Sequence, residues 1–499
     1  LSVEPIGSDL GRAAERAPNK VALISGDRSV SYAELDNLVE RFAAGLLERG
    51  VGTGDRVAIV LPNDVDAVIA LQGALRVGAA IMPMHPSVKH ERLSQVLSRA
   101  EATLAVCDEA RAETAREAAK EAGGIPVHDS VEELSADGPA QYEQPVDADL
   151  AALMHTSGST GGPKGVMLTQ RNLSFVTGSI VEYLRVTEEE RILCVLPLSF
   201  GYGLSQLLLC MRTGATLVLE AGVALPGRIV QLLEQHQITG LPGVPTVFQV
   251  LLTLRGLADR ELPHLRFLTN AGAGLPTTTV AEVRRTFPNA ELHLMYGQTE
   301  CVRISSLPPD QVDERPASSG LPIPGTECWI EDDGGNVLGP GEVGELIVRG
   351  EHVTDGYWRN PDATIERMRE GRRPEERVMA TNDLFRSDED GYLYFVSRRD
   401  DIIKSRGEKV PPRDVEEAIY GDPAVKEVAV VGVPDRLLGE AVHAHVSAKE
   451  GQELDPAALK RLCAEHLEDY MVPQQVVIHD ELPRNTNGKI DRLLLAGRG

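Results

Sequence analysis

Between residues 56 and 108 the chain alternates short apolar runs with amphipathic stretches. RVAIVLP (56–62) is a continuous apolar run of strand length. VDAVIALQGALRVG (65–78) carries apolar residues at helical spacing and stops at a glycine. AAIMPMHP is the next buried run, HERLSQVLSRAEA the next amphipathic stretch, and TLAVCD a third strand. Strands without polar alternation are buried on both faces, and strands separated by helix-length segments pair in parallel through helical crossovers. The rhythm returns at ATLVLEAG, GRIVQLLEQHQI, TGLPGVPTVFQVLL and LRFLTNAG. This predicts an α/β architecture in which helices cover mixed β-sheets. A chain of 499 residues is long enough for two to four domains.

Two changes of texture divide it. From about residue 325, GTECWIEDDGGNVLGPGEVGELIVRG has short alternating strands and Gly-rich turns, the pattern of an antiparallel subdomain. After about 400, RDVEEAIYGDPAVKEVAVVGV and LDPAALKRLCAEHLEDYMVP predict a small α+β unit. SRRDDIIKSRGEKVPP (397–412), charged and closed by two prolines, reads as the linker. We therefore expect a large N-terminal domain at 1–399 and a small C-terminal domain at 400–499.

Composition removes several classes of function. Fifty basic residues against 75 acidic ones give a formal charge of −25. No cationic excess exists to neutralise a nucleic-acid backbone. The six cysteines are scattered with no CxxC, which fits a reducing cytoplasm rather than a disulfide or metal framework. The longest apolar stretch, AVIALQGALRVGAAIMPM, is broken by Gln72 and Arg76, so it predicts a buried helix and strand and no membrane span. LSVEPIGSDL has neither the basic nor the apolar part of a signal peptide. None of the twelve histidines falls at ligand or triad spacing.

The segment HTSGSTGGPKGVMLTQ (155–170) carries the first chemical signal. Gly158, Gly161, Gly162 and Gly165, the hydroxyls of Thr156, Ser157, Ser159 and Thr160, and one cation, Lys164, lie within eleven residues. Glycines expose backbone N–H groups, hydroxyls add donors and lysine adds charge, so the block is suited to phosphate oxygens. It is not a Walker A loop: Lys164 follows Pro163, and Gly165 stands where Ser or Thr is required. A plain hairpin tip would account for the glycines alone.

Three further motifs follow in order: MYGQTE (295–300), ATNDLFRSDEDGYLYFVSRRDDIIKSRGEKV (380–410) and LPRNTNGKIDR (482–492). With the first loop they resemble, along essentially the whole chain, the adenylate-forming superfamily. It comprises acyl-CoA synthetases, peptide-synthetase adenylation domains and beetle luciferases. The resemblance implies ATP-dependent activation of a carboxylic acid. The carboxylate attacks the α-phosphate to give acyl-AMP and pyrophosphate, and a thiol then takes the acyl group. Attack of one anion on another requires positive groups around the phosphates, so ATP with Mg²⁺ is implied.

The resemblance also implies roles for residues. Thr156, Ser157, Gly158, Ser159, Thr160 and Lys164 would hold the β- and γ-phosphates. Thr299 would touch the α-phosphate and Glu300 would hold Mg²⁺. Tyr296 and Gly297 would face adenine, with Gly272 and Ala273 of NAGAG (270–274) lining its other side. Asp383, helped by Arg398, would bind the ribose. Lys489 would bridge the carboxylate and the α-phosphate. The C-terminal domain would be mobile, rotating about Asp400 so that Lys404 and Gly407 replace Lys489 at the site for thiol transfer. This chain departs from the pattern at Asn382 and Ser397, where glycine is usual, and at Gln170, where histidine is common.

The substrate is read from LPLSFGYGLSQLLL (196–209). Relatives that take α-amino acids carry an aspartate where this chain has Gly201, and an ammonium buried without a counter-charge is costly. Phe200, Gly201, Gly203, Val244, Gly272, Gly297, Cys301 and Ile304 are expected to line an acyl pocket for an apolar acid, aliphatic ahead of aromatic. The implied acceptor is coenzyme A. The alternative is the phosphopantetheine of an acyl or peptidyl carrier protein, which is expected to be a separate protein because these 499 residues contain no carrier pattern. A light-emitting or non-catalytic relative of the same fold is the reading from another class. Retention of Glu300 and Lys489 weighs against the non-catalytic form.

Overall fold

The computed structural model describes residues 5–138, 140–156, 163–220, 225–373, 376–484 and 490–497. The alternating segments form two sheets with parallel centres. In the first, strand Arg56–Val60 is flanked by Ala80–Pro83 and Leu104–Cys107, all parallel. Val127–His128 adds beyond Leu104–Cys107 and Leu150–Thr156 beyond Ala80–Pro83. Lys164–Thr169 closes the sheet as an antiparallel edge. The crossover helix Val65–Arg76 starts at Asp64, whose side chain accepts from Ala67 N–H, and ends before Gly78 at φ +76°. Eleven of its twelve residues are buried. Arg76 tolerates this because Asp36 and Glu40 neutralise it. No described helix is long and apolar enough to cross a membrane.

The second sheet has nine strands. Its centre, Glu291–Tyr296, Phe267–Asn270, Gly240–Gly243, Arg191–Cys194, Thr216–Leu219 and Val21–Ser25, is parallel, and antiparallel strands lie at both edges. One apolar cluster, from Ile6 through Phe42 and Leu208 to Tyr357, ties the two sheets together. The antiparallel subdomain expected after residue 325 is a five-stranded sheet: Glu327–Glu331, Gly344–Arg349, Arg377–Ser387, Met368–Glu370 and Leu393–Arg398. A fourth sheet is built wholly from residues 403–479. It has its own core of Ile403, Val415, Val430, Val446 and Leu459 under helices Pro412–Tyr420 and Pro456–His466. The observed class is therefore a large α/β part of mixed sheets with an antiparallel subdomain, plus a small α+β part.

Candidate active site

The strands on either side of the glycine- and hydroxyl-rich block pair antiparallel. Thr156 pairs with Lys164 across strands Leu150–Thr156 and Lys164–Thr169. Ser157, Gly158, Ser159 and Thr160 lie outside the described residues. The hairpin is tied to the rest of the site through residues 354–358. Trp358 N–H donates to Gly165 O at 2.8 Å, and Val166 bridges Tyr357. Lys164 Nζ lies 5.4 Å over the Tyr357 ring, and the Tyr357 hydroxyl donates to Glu300 Oε1 at 2.7 Å. Thr354 N–H fixes the Glu300 carbonyl at 2.8 Å. The cation of the first motif and the carboxylate of the second thus stand on either side of one tyrosine.

MYGQTE leaves strand Glu291–Tyr296 and turns sharply. A Cβ on Gly297 would come within 2.4 Å of Val302 O, so only glycine fits. Val302 itself has φ +61°, a costly backbone state for a β-branched residue. Thr299 is partly exposed in this turn, and Glu300 is buried at 8 % exposure.

Asp383, on strand Arg377–Ser387, is 4 % exposed. Its Oδ2 accepts from the Tyr296 hydroxyl at 2.6 Å and Gln298 Nε2 at 2.8 Å, while Arg398 Nε stands 3.8 Å from Oδ1. Burial raises the Asp383 carboxyl, against the hydrogen bonds from Tyr296 and Gln298 and the charge of Arg398. The Tyr296 ring meets Phe385 edge-on at 4.8 Å, and burial pushes its hydroxyl well up, so it donates rather than ionises. Arg367 joins the halves, donating to Gln298 Oε1 at 2.9 Å and to the carbonyls of Ala380 and Thr381.

Of the eight residues expected to line the acyl pocket, three are brought together. Phe200, Val244 and Gly272 meet: a Cβ on Gly272 would lie 3.4 Å from Val244 Cγ1 and 3.5 Å from Phe200 Cζ. Gly272 has φ +86°, and exposed Ala273 is held by Asn270 Nδ2 on its carbonyl. Gly201 begins helix Gly201–Thr213 with open space where a side chain would go. Of the other four, Cys301 and Ile304 are not brought to this group. Gly203 is a packing glycine, its missing Cβ 2.2 Å from Pro197 O, and Gly297 presses on the Val302 backbone. Cys301 and Ile304 are fully buried in the antiparallel subdomain's core with Ile330, Leu346 and Phe385. The reversal at Val302 turns them away and leaves Val302 itself against the same core as Phe200 and Val244.

Asp400 lies in the exposed turn Arg399–Asp401. Asn382 has φ +58°, which explains why glycine or asparagine suits the position, and its side chain donates to Asp400. Arg399 is held by Asp333 and Glu345. Ser397 is buried with its hydroxyl on Arg398 O, and Gln170 is buried with Oε1 on Ile6 N–H. Lys404 is exposed, its backbone N–H donating to Glu440, and it is not brought to the Glu300–Asp383 cluster. Lys489 lies outside the described residues, but its segment is flanked by a bridge from Arg484 to Ile490. Arg484 reaches Thr246 Oγ1 at 3.3 Å, two residues from Val244.

Tyr357, Arg367, Gln298 and Val302 were not singled out from sequence. They act across chain separations that no local pattern reports. The only sequence signal was that Gln298 and Val302 fall in or beside MYGQTE.

A single carboxylate suits magnesium, which takes one or two carboxylates together with substrate phosphates. No group of three or more His, Cys, Asp or Glu that could hold a metal occurs among the described residues. Glu300, presented from a buried turn and oriented by Tyr357, fits that requirement.

Comparison with known proteins gives the class. Residues 10–358 match the family model of the AMP-binding enzyme, and residues 414–489 match the AMP-binding enzyme C-terminal domain. The chain is similar to a feruloyl-CoA synthase of Amycolatopsis sp, 33% identical over 492 residues, with 97% of each chain covered. It is also similar to an L-proline--[L-prolyl-carrier protein] ligase of Pseudomonas fluorescens, 30% identical over 502 residues with 96% of each covered. Among solved structures it resembles the o-succinylbenzoate CoA synthetase of Bacillus subtilis in complex with its acyl-adenylate intermediate. That structure has a TM-score of 0.88 and 30% identity, covering 99% of this chain and 98% of that one. The same enzyme has been solved with ATP and magnesium ion. The chain belongs to the AMP-binding enzyme family. It is an AMP-forming acid–thiol ligase that activates a carboxylic acid with ATP and magnesium.

Proposed function

We propose that this chain converts a small carboxylic acid and ATP to acyl-AMP and pyrophosphate, and then passes the acyl group to the thiol of coenzyme A. AMP leaves in place of the oxide that makes a carboxylate unreactive. The observation that carries this reading is the convergence of Lys164, Tyr357 and Glu300 on one side of MYGQTE with Tyr296, Gln298 and Asp383 on the other. Lys164 and the hydroxyls of Thr156, Ser157, Ser159 and Thr160 hold the terminal phosphates, with the backbone of Gly158. Thr299 donates to the α-phosphate. Glu300 would hold magnesium, which would neutralise phosphate charge. Asp383 and Arg398 bind the ribose, and Tyr296, Gly297, Gly272 and Ala273 bound the adenine.

Phe200, Val244 and Val302 face the body of the acid. Arg484, which precedes the Lys489 segment, reaches Thr246, two residues from Val244, which supports an arrangement poised for adenylation, with Lys489 bridging carboxylate and α-phosphate. Among the described residues the polar contacts between the domains include Arg413 to Phe395 O, Thr277 to Glu417, Arg484 to Thr246 and Asn382 to Asp400, single hydrogen bonds that are compatible with rotation about Asp400. We place the domain boundary at that residue. A carrier-protein phosphopantetheine is the second reading of the acceptor, favoured by the likeness to the prolyl-carrier ligase. The reaction is placed in the cytoplasm, where coenzyme A and ATP are supplied. The test is a panel of acids scored by pyrophosphate release with and without coenzyme A. Acid-dependent release, followed by thioester only when coenzyme A is present, is expected. Acyl-AMP that coenzyme A does not discharge would move the acceptor to a carrier protein.

A further inference from the structure

Three arginines are buried among the described residues: Arg76, Arg303 and Arg349. Arg76 is neutralised by Asp36 and Glu40, and Arg349 by Glu327. Arg303, 2 % exposed, forms no ion pair with any described Asp or Glu, and its Nε is buried without a hydrogen-bond partner. Its guanidinium lies 5.0 Å from the centre of the Tyr202 ring, and it acts on the Tyr183 hydroxyl through its charge and a hydrogen bond. A ring face and a phenol offset only part of the cost of taking a guanidinium out of water, and neither supplies a counter-charge.

The position of Arg303 gives that charge a use. A Cβ on Gly297, in the turn that carries Thr299 and Glu300, would come 2.8 Å from Arg303 Cα. Tyr202, which Arg303 covers, is 6.4 Å ring to ring from Phe200 of the acyl wall, and its hydroxyl donates to Thr269 O. Phe200 is also the N-cap of helix Gly201–Thr213, whose first turn holds no acidic residue and no side-chain cap. The Arg303 guanidinium, against Tyr202, and the positive end of the helix that Tyr202 belongs to are therefore separated by two neighbouring aromatic rings. Both disfavour an ammonium, and both favour a second anion.

We propose that Arg303 receives a second carboxylate on the substrate. The acid is then a dicarboxylic acid, one carboxyl of which is adenylated while the other docks on the guanidinium. This rests on the reading of Phe200, Val244 and Gly272 as the acyl wall. The planar fork of arginine matches a carboxylate with two parallel hydrogen bonds, which a lysine cannot reproduce. A site built for such a pair rejects the analogue lacking it far more strongly than an apolar pocket rejects a missing methylene. Arg303 is thus a specificity-determining residue.

The experiment compares dicarboxylic acids from malonate to suberate, and one aryl diacid, each with the monocarboxylic acid of the same length, by pyrophosphate release. The wild-type chain is expected to favour at least one diacid over its partner by about 100-fold or more in kcat/KM. Arg303→Met should remove that preference mainly through KM, leaving the monoacids unchanged or improved, and Arg303→Lys should restore part of it. A wild-type preference for the monoacid in every pair overturns the proposal. So does an Arg303→Met variant that loses both acids by the same factor, the mark of a purely structural role. If Arg303→Met does not fold, the wild-type ratio and Arg303→Lys decide. Turnover of monoacids without diacid preference defeats this inference alone, whereas no pyrophosphate release with any acid defeats the adenylation reading beneath it.

Discussion

Asn382 Nδ2 donates to Asp400 Oδ2 at 2.9 Å, so the strand that carries Asp383 holds the turn proposed as the hinge. The hydrogen bond spans the point where the large part of the chain passes into the small one. Asn382 occupies a left-handed backbone state that glycine adopts without strain. Asn382→Gly therefore removes the tether and leaves the backbone unstrained. An exposed hydrogen bond of this kind contributes about 1 kcal/mol or less. Measured in separate half-reactions, Asn382→Gly should raise thioester transfer relative to acyl-AMP formation by roughly two- to fivefold, the ratio equivalent to that energy. An unchanged ratio would show that the tether does not bias the hinge.

Tyr357 links Lys164, proposed to hold the terminal phosphates, to Glu300. Tyr357→Phe keeps the ring under Lys164 and deletes the donor to the Glu300 carboxylate. Hydrogen bonds to charged groups contribute about 1.5–3 kcal/mol, so the magnesium concentration for half-maximal adenylation should rise roughly tenfold or more. Titration of pyrophosphate release with MgCl₂ at fixed ATP measures it. No shift would separate Tyr357 from the metal.

Gly201 has open space at its missing side chain and begins an uncapped helix. Gly201→Asp should therefore fold, with a melting temperature equal to or above wild type, because an acid in the first helical turn is favourable. It should cut kcat/KM for carboxylic acids by about tenfold or more through repulsion beside the acyl wall. Undiminished turnover would remove Gly201 from the site.

Burial pushes the imidazoles of His155, His293, His352 and His445 down to about 4. The unfolded chain takes up these protons near 6.5, so between about 6.5 and 4 it binds more protons than the folded one, and stability falls as pH falls. Asp9 works the other way: burial raises it to about 6, so acidification relieves its cost. Burial also raises Asp64, Asp383, Asp414 and Glu417, on the side of Asp9; the four imidazoles displaced across the window from about 6.5 to about 4 set the sign, so the melting temperature is expected to be highest above about pH 7 and to decline toward about pH 4.5. Thermal melts at constant ionic strength check the sign, and a rising melting temperature on acidification would contradict it.

The order of strands and helices was legible because apolar runs and helical spacing are local properties, and Val65–Arg76 ends where Gly78 predicts. Pairing of Thr156 with Lys164 was half legible: glycines marked a tip, but its partner segment 354–358 is almost two hundred residues away. Tyr357 and Arg367 carry no motif, and their roles arise only when the antiparallel subdomain folds onto the parallel sheets. Cys301 and Ile304 were misplaced because adjacency to MYGQTE suggested the pocket. The left-handed turn at Val302 reverses the chain there, and sequence gives no warning of a β-branched residue in that state. Arg303, a lone cation in CVRISSL, was visible but had no expected partner.

The central claim is that the substrate carboxylate itself attacks the α-phosphate. Glutarate and pentanoate, each labelled with heavy oxygen in the carboxylates, can be incubated with the chain, ATP, magnesium and coenzyme A, and the nucleotide and phosphate products read by mass spectrometry. The account predicts AMP carrying a single heavy oxygen, unlabelled pyrophosphate and an acyl thioester with whichever acid is turned over. ADP with heavy oxygen in inorganic phosphate would mean attack on the γ-phosphate through an acyl phosphate, and would contradict it.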